Sequence, residues 1–155
     1  MRDLLRSFFA AKKGFLGLLM NTRPVAPKRF SDADHPYSAS RTTAGLIFVS
    51  GQLGVLDNEI VPGGIGAEAR QALANLKACL AEHGCGPADV VKTTVLLADL
   101  AERNEFDTIY ADFFTEPRPA RTCYAAGALP YGARVEVEAI ASASVPHDSN
   151  ERVTW

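Results

Sequence analysis

The sequence contains few cysteines and none of the spacings that bind a metal or mark a disulfide framework. Its three cysteines, Cys79, Cys85 and Cys123, are odd in number and form no CxxC pair. This argues against a disulfide framework and against a zinc site. The histidines and acidic residues show no metal-ligand spacing either. Residues 62–64, with the sequence PGG, lack the GxGxxG and GxxxxGKS/T patterns of phosphate-binding loops. We therefore expect neither a metal nor another cofactor.

An excess of positive charge is also missing. The 16 lysines and arginines and the 18 aspartates and glutamates give a net charge of −2, whereas nucleic-acid-binding domains are normally basic. The apolar runs near the N-terminus are shorter than the roughly 20 residues that a transmembrane helix needs. Cysteine usage of this kind fits a reducing compartment. We therefore predict a cytoplasmic protein whose core domain binds neither nucleic acid nor a membrane.

The sequence does contain enough hydrophobic material for one folded domain, since 47% of its 155 residues are hydrophobic. We expect this domain at residues 25–146, followed by a polar tail at residues 147–155. Residues 1–24 form an N-terminal extension, of which the first nineteen are basic and amphipathic. Three interpretations of these nineteen stay open: an appended surface helix, a membrane-contact or targeting helix, or non-native sequence translated upstream of a start at Met20.

Hydrophobic periodicity predicts that strands and helices alternate in the domain. The predicted strands are residues 43–50, closed by Gly51 and Gln52, then 59–61 and 90–97, and the predicted helices are residues 66–83 and 102–114. Two further strands follow near the C-terminus. Strands separated by helices favour parallel pairing, whereas a C-terminal hairpin adds antiparallel pairing. The sequence thus predicts an α+β domain with a mixed sheet packed on two helices.

The stretch at residues 118–141, RPARTCYAAGALPYGARVEVEAIA, has the composition of a hairpin that carries charges inside its strands. Because side chains alternate along a strand, Arg121 and Cys123 share one face of the first strand. Glu136 and Glu138 share one face of the second strand for the same reason. A buried charge is unfavourable unless it has a partner or a ligand. These charges therefore mark the stretch as a candidate site.

This stretch and three earlier ones resemble, in order and spacing, the motifs of the RidA/YjgF family of enamine/imine deaminases. PARTC and LPYGARVEVEAIA resemble the C-terminal motif of that family, and HPYS, LIFVSGQL and DVVKTTVLLADL agree with its earlier segments. The similarity spans about residues 25–145, and the four motifs together are more specific than any one alone. The resemblance implies a chorismate-mutase-like fold, a homotrimer and clefts between neighbouring subunits. It also implies hydrolysis of 2-enamino and 2-imino acids to 2-keto acids and ammonia.

The resemblance implies binding and catalytic roles for three residues. Arg121 matches the arginine that binds the substrate carboxylate, and its fork of donors suits that role because it fits a carboxylate. Glu136 matches the catalytic glutamate that positions water, with Glu138 as its rival two residues on. Tyr37 matches a second catalytic residue, whose hydroxyl group binds water or a substrate oxygen. In this chain His35 stands where the family usually has a glycine before the Pro-Tyr pair.

Three further residues are expected to border the substrate. Cys123 should line the cleft and not act as a nucleophile, since no thiolate-stabilising neighbour other than Arg121 is apparent. Gly51 would let the backbone approach a ligand. Asp107 takes the place of an asparagine that helps many family deaminases to bind substrate, with Asn104 one turn earlier. An aspartate there would either repel a substrate carboxylate or form a competing pair with Arg121.

Different kinds of function compete for this set of residues. The first is the deaminase, with a small 2-imino or 2-keto acid as its ligand and a homotrimer as its assembly. The alternative is a non-catalytic module of the same fold that binds a small carboxylate such as a keto acid, a hypothesis that Asp107 supports. A third function, endoribonuclease, is a label that the family has carried, and the acidic charge balance argues against it.

Overall fold

The computed structural model describes residues 36–143, which form a five-stranded sheet, a two-stranded ribbon and two helices. The strands of the sheet are β1 (Ser40–Thr43), β2 (Leu46–Leu53), β5 (Val90–Leu97), β6 (Ala120–Ala125) and β7 (Val135–Ser142). The ribbon pairs β3 (Val55–Leu56) with β4 (Glu59–Ile60), and the helices are α1 (Gly64–Ala81) and α2 (Arg103–Phe113). Both predicted helices and the predicted strands at residues 59–61 and 90–97 are confirmed, with small shifts at their ends.

The sheet is mixed, as predicted, and its strand order is β1-β2-β7-β5-β6. β5 and β6 are parallel, because α2 carries the chain back along the sheet between them. The remaining neighbours in the sheet pair antiparallel. Within the described residues, β1 and β6 therefore form the two edges of the sheet.

The predicted C-terminal hairpin is wrong. Within residues 36–143, β6 and β7 do not pair with each other, because β5 lies between them and pairs with both. The chain leaves β6 and crosses the end of β5 before it returns as β7. Two backbone hydrogen bonds hold this crossing: Ala126 N donates to Leu97 O at 2.8 Å, and Ala98 N donates to Arg134 O at 2.9 Å. Residues 126–134 therefore build a crossover loop and not the tight turn of a hairpin.

The predicted end of the first strand at Gly51 is also wrong. β2 continues through Gly51, with a register shift between Val49 and Gln52 in its pairing with β7. Such a bulge lets a strand keep its neighbour while one residue leaves the ladder, so a glycine here bends the strand without ending it. The strand also begins later than predicted, because Ala44 and Gly45 turn the chain between β1 and β2 with φ angles of 48° and 74°.

Both helices pack on one face of the sheet and form a single hydrophobic core with it. The apolar stripes of α1 and α2 are buried in this core, as are alternate residues of β2, β5 and β7. No helix covers the opposite face within the described residues. We call it the open face, and it carries Phe48, Thr94, Leu96, Tyr124, Glu136 and Glu138. Phe48 and Tyr124 are 40% and 47% exposed there, so apolar surface is available for contact.

A buried carboxylate on α1 holds the crossover loop in place. Glu68 is only 4% exposed, and its Oε2 accepts a hydrogen bond from the backbone N–H of Arg134 at 2.7 Å. The Arg134 guanidinium lies alongside, with its Nε 3.9 Å from Glu68 Oε1, and it also pairs with Glu102. Because Arg134 directly precedes β7, Glu68 helps to set where that strand begins.

Replacing Glu68 by alanine is expected to destabilise the fold by about 2–3 kcal/mol, because the part-buried backbone N–H of Arg134 loses its acceptor. Glu68→Gln keeps an oxygen at the same reach and should destabilise by only about 1 kcal/mol. Urea unfolding of the two variants measures both losses. Equal destabilisation by alanine and glutamine would show that this hydrogen bond does not stabilise the loop.

Candidate functional site

The register of the sheet places the predicted site residues on opposite faces. Arg121 of β6 lies opposite Thr93 of β5, whose fully buried side chain points towards the helices. Glu136 of β7 lies opposite Leu96 of β5, on the open face. Residues paired in register share a face, so a single chain does not bring Arg121 and Glu136 together. The predicted site residues therefore form two separate clusters.

The first cluster lies at the β6 edge, between the sheet and α2. We call it the arginine cluster, and it consists of Arg103, Asp107, Tyr110, Arg121 and Cys123. The guanidinium carbon of Arg121 lies 4.7 Å from the centroid of the Tyr110 ring, where a cation is attracted to the π face. The Tyr110 hydroxyl shares a 2.8 Å hydrogen bond with Thr93 Oγ1. Burial raises the pKa of the Tyr110 phenol, so the ring stays neutral. The hydrogen bond to Thr93 holds this ring in place against the arginine.

Asp107 lies between two arginines. Its Oδ1 is 2.7 Å from Nη1 of Arg121, and its Oδ2 is 3.4 Å from Nε of Arg103. The competing pair between Asp107 and Arg121, one of the two outcomes expected from the sequence, is thus present in this structure. The sequence interpretation missed Arg103 and Tyr110. Arg103 was recognisable in principle, because a spacing of four residues places it beside Asp107 on one face of a helix.

Cys123 lies on the same face of β6 as Arg121 and packs against the core. Burial raises the pKa of its thiol, and the positive charges of Arg121 and Arg103 offset this only in part. A thiol with a raised pKa is a poor nucleophile near neutral pH, because little thiolate is present. The raised pKa argues against attack by Cys123 on a substrate, and its lining role stays a prediction.

The second cluster lies on the open face, where β7 passes the bulge of β2. We call it the glutamate cluster, and it consists of Gly51, Glu136 and Glu138. The carboxyl group of Glu136 rests against the backbone of Gly51, where a Cβ atom would overlap Glu136 Oε1. Burial, and then the negative charge of Glu138, raise the pKa of the Glu136 carboxyl. A raised pKa suits a group that exchanges protons nearer neutral pH.

Tyr37 belongs to the segment that leads into β1, and it is 57% exposed. Ser50 ties this segment to the bulge of β2. Its Oγ donates to Ser38 O at 2.7 Å, and its backbone N donates to Ala39 O at 2.9 Å. Ser38, the residue after Tyr37, is therefore held at the bulge of β2, which includes Gly51 of the glutamate cluster. His35 falls outside the described residues.

Glu138, the rival of Glu136, has a different setting. It lies two residues further along β7, where it lines a shallow depression of the open face with Arg41 and Lys92. Its side chain is exposed, whereas Glu136 is partly buried against Gly51. Its closer packing against Gly51 makes Glu136 the better candidate of the two for proton transfer.

Within residues 36–143, no group of three or more histidine, cysteine, aspartate or glutamate side chains is arranged to hold a metal ion. Neither helix of that range has the length and apolar character needed to cross a bilayer. Residues 1–24 and 147–155, the predicted extension and tail, lie outside the described residues. The three interpretations of the N-terminal segment and the cytoplasmic location therefore stay predictions.

Known proteins resemble this chain in both sequence and fold. The family model described as Endoribonuclease L-PSP matches residues 27–143. A human protein named 2-iminobutanoate/2-iminopropanoate deaminase is 40% identical over 121 residues, which cover 77% of this chain and 88% of the human protein.

Two solved structures have the same fold. RidA from the Antarctic bacterium Psychrobacter sp. superposes with a TM-score of 0.66 at 33% identity, over 76% of this chain and 93% of that chain. E. coli TdcF, solved with bound serine, superposes with a TM-score of 0.67 at 32% identity, over 76% of this chain and 92% of that chain.

Gly51→Ala is expected to displace the Glu136 carboxyl group, because the added methyl group would overlap it. The loss of stability should be about 1–3 kcal/mol. Most of this loss should disappear when G51A is made in the Glu136→Ala background, since the two side chains then no longer collide. Urea unfolding of wild type, both single variants and the double variant measures the coupling.

Gly127→Ala is the matched control, because no described residue other than its two chain neighbours lies within 4 Å of a Cβ atom at that position. It should change stability by less than about 0.5 kcal/mol. A G51A loss of the same size in the wild-type and Glu136→Ala backgrounds would show that the close approach to Glu136 does not restrict position 51 to glycine.

Proposed function

Because this chain belongs to the RidA/YjgF family, described in its family model as Endoribonuclease L-PSP, we propose that it hydrolyses 2-enamino and 2-imino acids to 2-keto acids and ammonia. The name of the human relative supports this activity. The observation that carries the proposal is the placement of Arg121: a guanidinium fork held over an aromatic ring at a sheet edge, within reach of a ligand. The glutamate cluster supplies a carboxyl group of raised pKa for proton transfer.

Arg121 binds the substrate carboxylate in this proposal. Its side chain is 20% exposed, so a ligand can reach it, while the Tyr110 ring holds its plane from one side. A guanidinium presents parallel N–H donors that match the two oxygens of a carboxylate. Cys123 adds a neutral wall on the same face of β6. Together these groups select ligands that carry an acid group.

Glu136 carries out the proton transfers. Hydrolysis of an enamine needs a proton at the enamine carbon, then addition of water to the C=N carbon, and then departure of ammonia. The raised pKa lets Glu136 give up and take back a proton nearer neutral pH than an ordinary glutamate does. As the carboxylate, it orients and deprotonates the attacking water. The hydroxyl group of Tyr37 offers a second hydrogen bond to that water or to the product carbonyl oxygen.

Both clusters act on one substrate only where two copies of the chain meet. Arg121 and Glu136 lie on opposite faces of the sheet, so the arginine cluster of one copy has to meet the glutamate cluster of another. Such a head-to-tail contact closes into a ring when the rotation between copies allows it. The exposed apolar residues of the open face offer surface for this contact. In this proposal the ring is a homotrimer of chorismate-mutase-like subunits, with one cleft at each boundary between copies.

A binding module without turnover is the second candidate function. The contact between Asp107 and Arg121 favours it, because a guanidinium that already faces a carboxylate attracts a ligand anion less strongly. Such a module would bind keto acids without accelerating the loss of imines. Cleavage of RNA, which the family description suggests, is not favoured by a net charge of −2.

Trapping of imines distinguishes the two candidates. An amino-acid oxidase generates the imino acid, semicarbazide traps what remains, and the protein should accelerate imine loss. Arg121→Ala should lower kcat/KM by about 100-fold or more, because it removes a charge-assisted double hydrogen bond. Glu136→Gln should lower kcat by about 100-fold or more, because it removes the proton-transfer group. An unchanged rate in R121A, or no acceleration for any of several imino acids, would contradict the deaminase.

Mixing two inactive variants tests whether the cleft is shared between copies. When R121A and E136Q are unfolded and refolded together, some clefts combine the intact arginine of one copy with the intact glutamate of the other. If the copies assemble at random, about one quarter of the clefts should be active. The control refolds R121A with the double variant R121A/E136Q, in which no cleft contains the arginine. Failure to recover activity in mixed assemblies, confirmed by native mass spectrometry, would contradict a shared cleft.

The pH dependence of kcat/KM should move when Glu138 is neutralised. Glu136 acts on water as the carboxylate, so activity should fall as the pH falls through its raised pKa. Glu138→Gln removes one of the two causes of the raised Glu136 pKa, so the acidic limb of the pH profile of kcat/KM should shift to lower pH. Glu59→Gln on β4, outside both clusters, is the matched control. An acidic limb that stays in place or moves to higher pH would contradict the role of Glu136.

A further inference from the structure

We propose that Asp107 competes with the substrate carboxylate for Arg121, and that Arg103 is the positioning residue that holds Asp107 while substrate is bound. The inference rests on the proposed function, because it concerns the carboxylate subsite of the same cleft. It makes Asp107 a specificity-determining residue, since each ligand has to displace an internal carboxylate from the guanidinium.

Asp107 contacts both arginines but is held firmly by neither. Its Oδ1 lies 2.7 Å from Arg121 Nη1 and is covered from solvent, yet among the described residues it accepts no well-aligned hydrogen bond. Its Oδ2 lies 3.4 Å from Arg103 Nε, which is longer than an ordinary charge-assisted hydrogen bond. The carboxylate is therefore near two cations without the alignment that would lock it onto either.

A ligand carboxylate makes a better contact with Arg121 than Asp107 does. The ligand aligns two oxygens with parallel donors of the fork, whereas Asp107 reaches the fork with one oxygen. Two carboxylates at one guanidinium repel each other, so the less well-aligned group moves away. Arg103 lies four residues before Asp107 on the same helix face, so the displaced carboxylate keeps a cationic partner without any movement of the backbone.

Arg121 has a second contact besides Asp107 that orients its guanidinium. The guanidinium lies over the Tyr110 ring, and the Tyr110 hydroxyl is anchored to the buried Thr93. Removal of the Asp107 charge should therefore leave the fork in place and make the subsite more positive. This sets the direction of the expected effect: neutralising Asp107 strengthens carboxylate binding.

Calorimetric titration of the full-length protein with 2-ketobutyrate, a carboxylate that is not turned over, measures the competition. Asp107→Asn should lower Kd about tenfold, because it removes repulsion between two carboxylates a few ångströms apart. Arg103→Gln should raise Kd about threefold in the wild-type background and by less than about 1.5-fold in the D107N background, where no carboxylate needs to be held. Arg103→Lys keeps the charge and should restore binding close to that of wild type.

Asp112→Asn is the matched control, because it removes the same charge from an exposed position of α2 outside the arginine cluster. It should change Kd by less than about twofold. In imine hydrolysis, D107N should lower KM while kcat stays within about twofold, a split that a general loss of structure would not produce. Weaker binding in D107N, an equal gain in D112N, or an Arg103→Gln effect of equal size in both backgrounds would overturn the proposal.

The binding experiment tests the competition at Arg121, and the hydrolysis experiment tests the deaminase, so each proposal can fail without the other. If the variants bind 2-ketobutyrate in the expected order but none accelerates imine loss, the deaminase is wrong and the competition stands. If imines are hydrolysed but D107N binds the keto acid more weakly than wild type, the competition is wrong and the deaminase stands. If neither wild type nor D107N binds the keto acid, the competition is wrong whatever the kinetics.

Discussion

The pairing of β5 with both C-terminal strands decides how this site is built. Arg121 lies opposite Thr93 and Glu136 lies opposite Leu96, two β5 residues separated by an odd number of positions. Because side chains alternate along a strand, an odd separation puts the two functional groups on opposite faces of the sheet. No change of rotamer carries a side chain through a sheet. In the proposed function each cluster is therefore a half-site, and a contact between copies combines the two.

The two half-sites accommodate their charges in different ways. The guanidinium of Arg121 lies over an aromatic face and beside Asp107, so its charge is compensated in place. Within residues 36–143 no cationic partner compensates the charge of Glu136, and burial raises the pKa of its carboxyl group. The folded protein then binds the Glu136 proton more tightly than the unfolded chain does. The stability that this proton contributes is present below the pKa of Glu136 in the unfolded chain, and it is lost as the pH rises through the raised pKa of the folded protein. That loss falls in the pH range where the carboxylate is needed for the proposed reaction.

The helices, the strand at residues 90–97 and the mixed sheet were predictable, because each depends on the local period of hydrophobic residues. The alternation within the C-terminal strands also grouped Arg121 with Cys123, and Glu136 with Glu138, correctly. The crossover that replaces the predicted hairpin was not predictable from turn residues, since Gly127 and Pro130 suit a crossover loop as well as a turn. The bulge at Gly51 was missed for a similar reason: a glycine ends some strands and bends others, depending on what lies across from it.

The sequence by itself determined the family, the elements of the fold and the residue types of the candidate site, because motifs and periodicity are properties of neighbouring residues in the chain. Only the tertiary structure decided which strands pair, and hence that Arg121 and Glu136 face apart. It also decided that Tyr110 supports Arg121, that Arg103 and Arg121 share Asp107, and that Gly51 touches Glu136. These relations join residues distant in sequence or depend on side-chain positions, and strand register and helix packing set them only after the chain has folded.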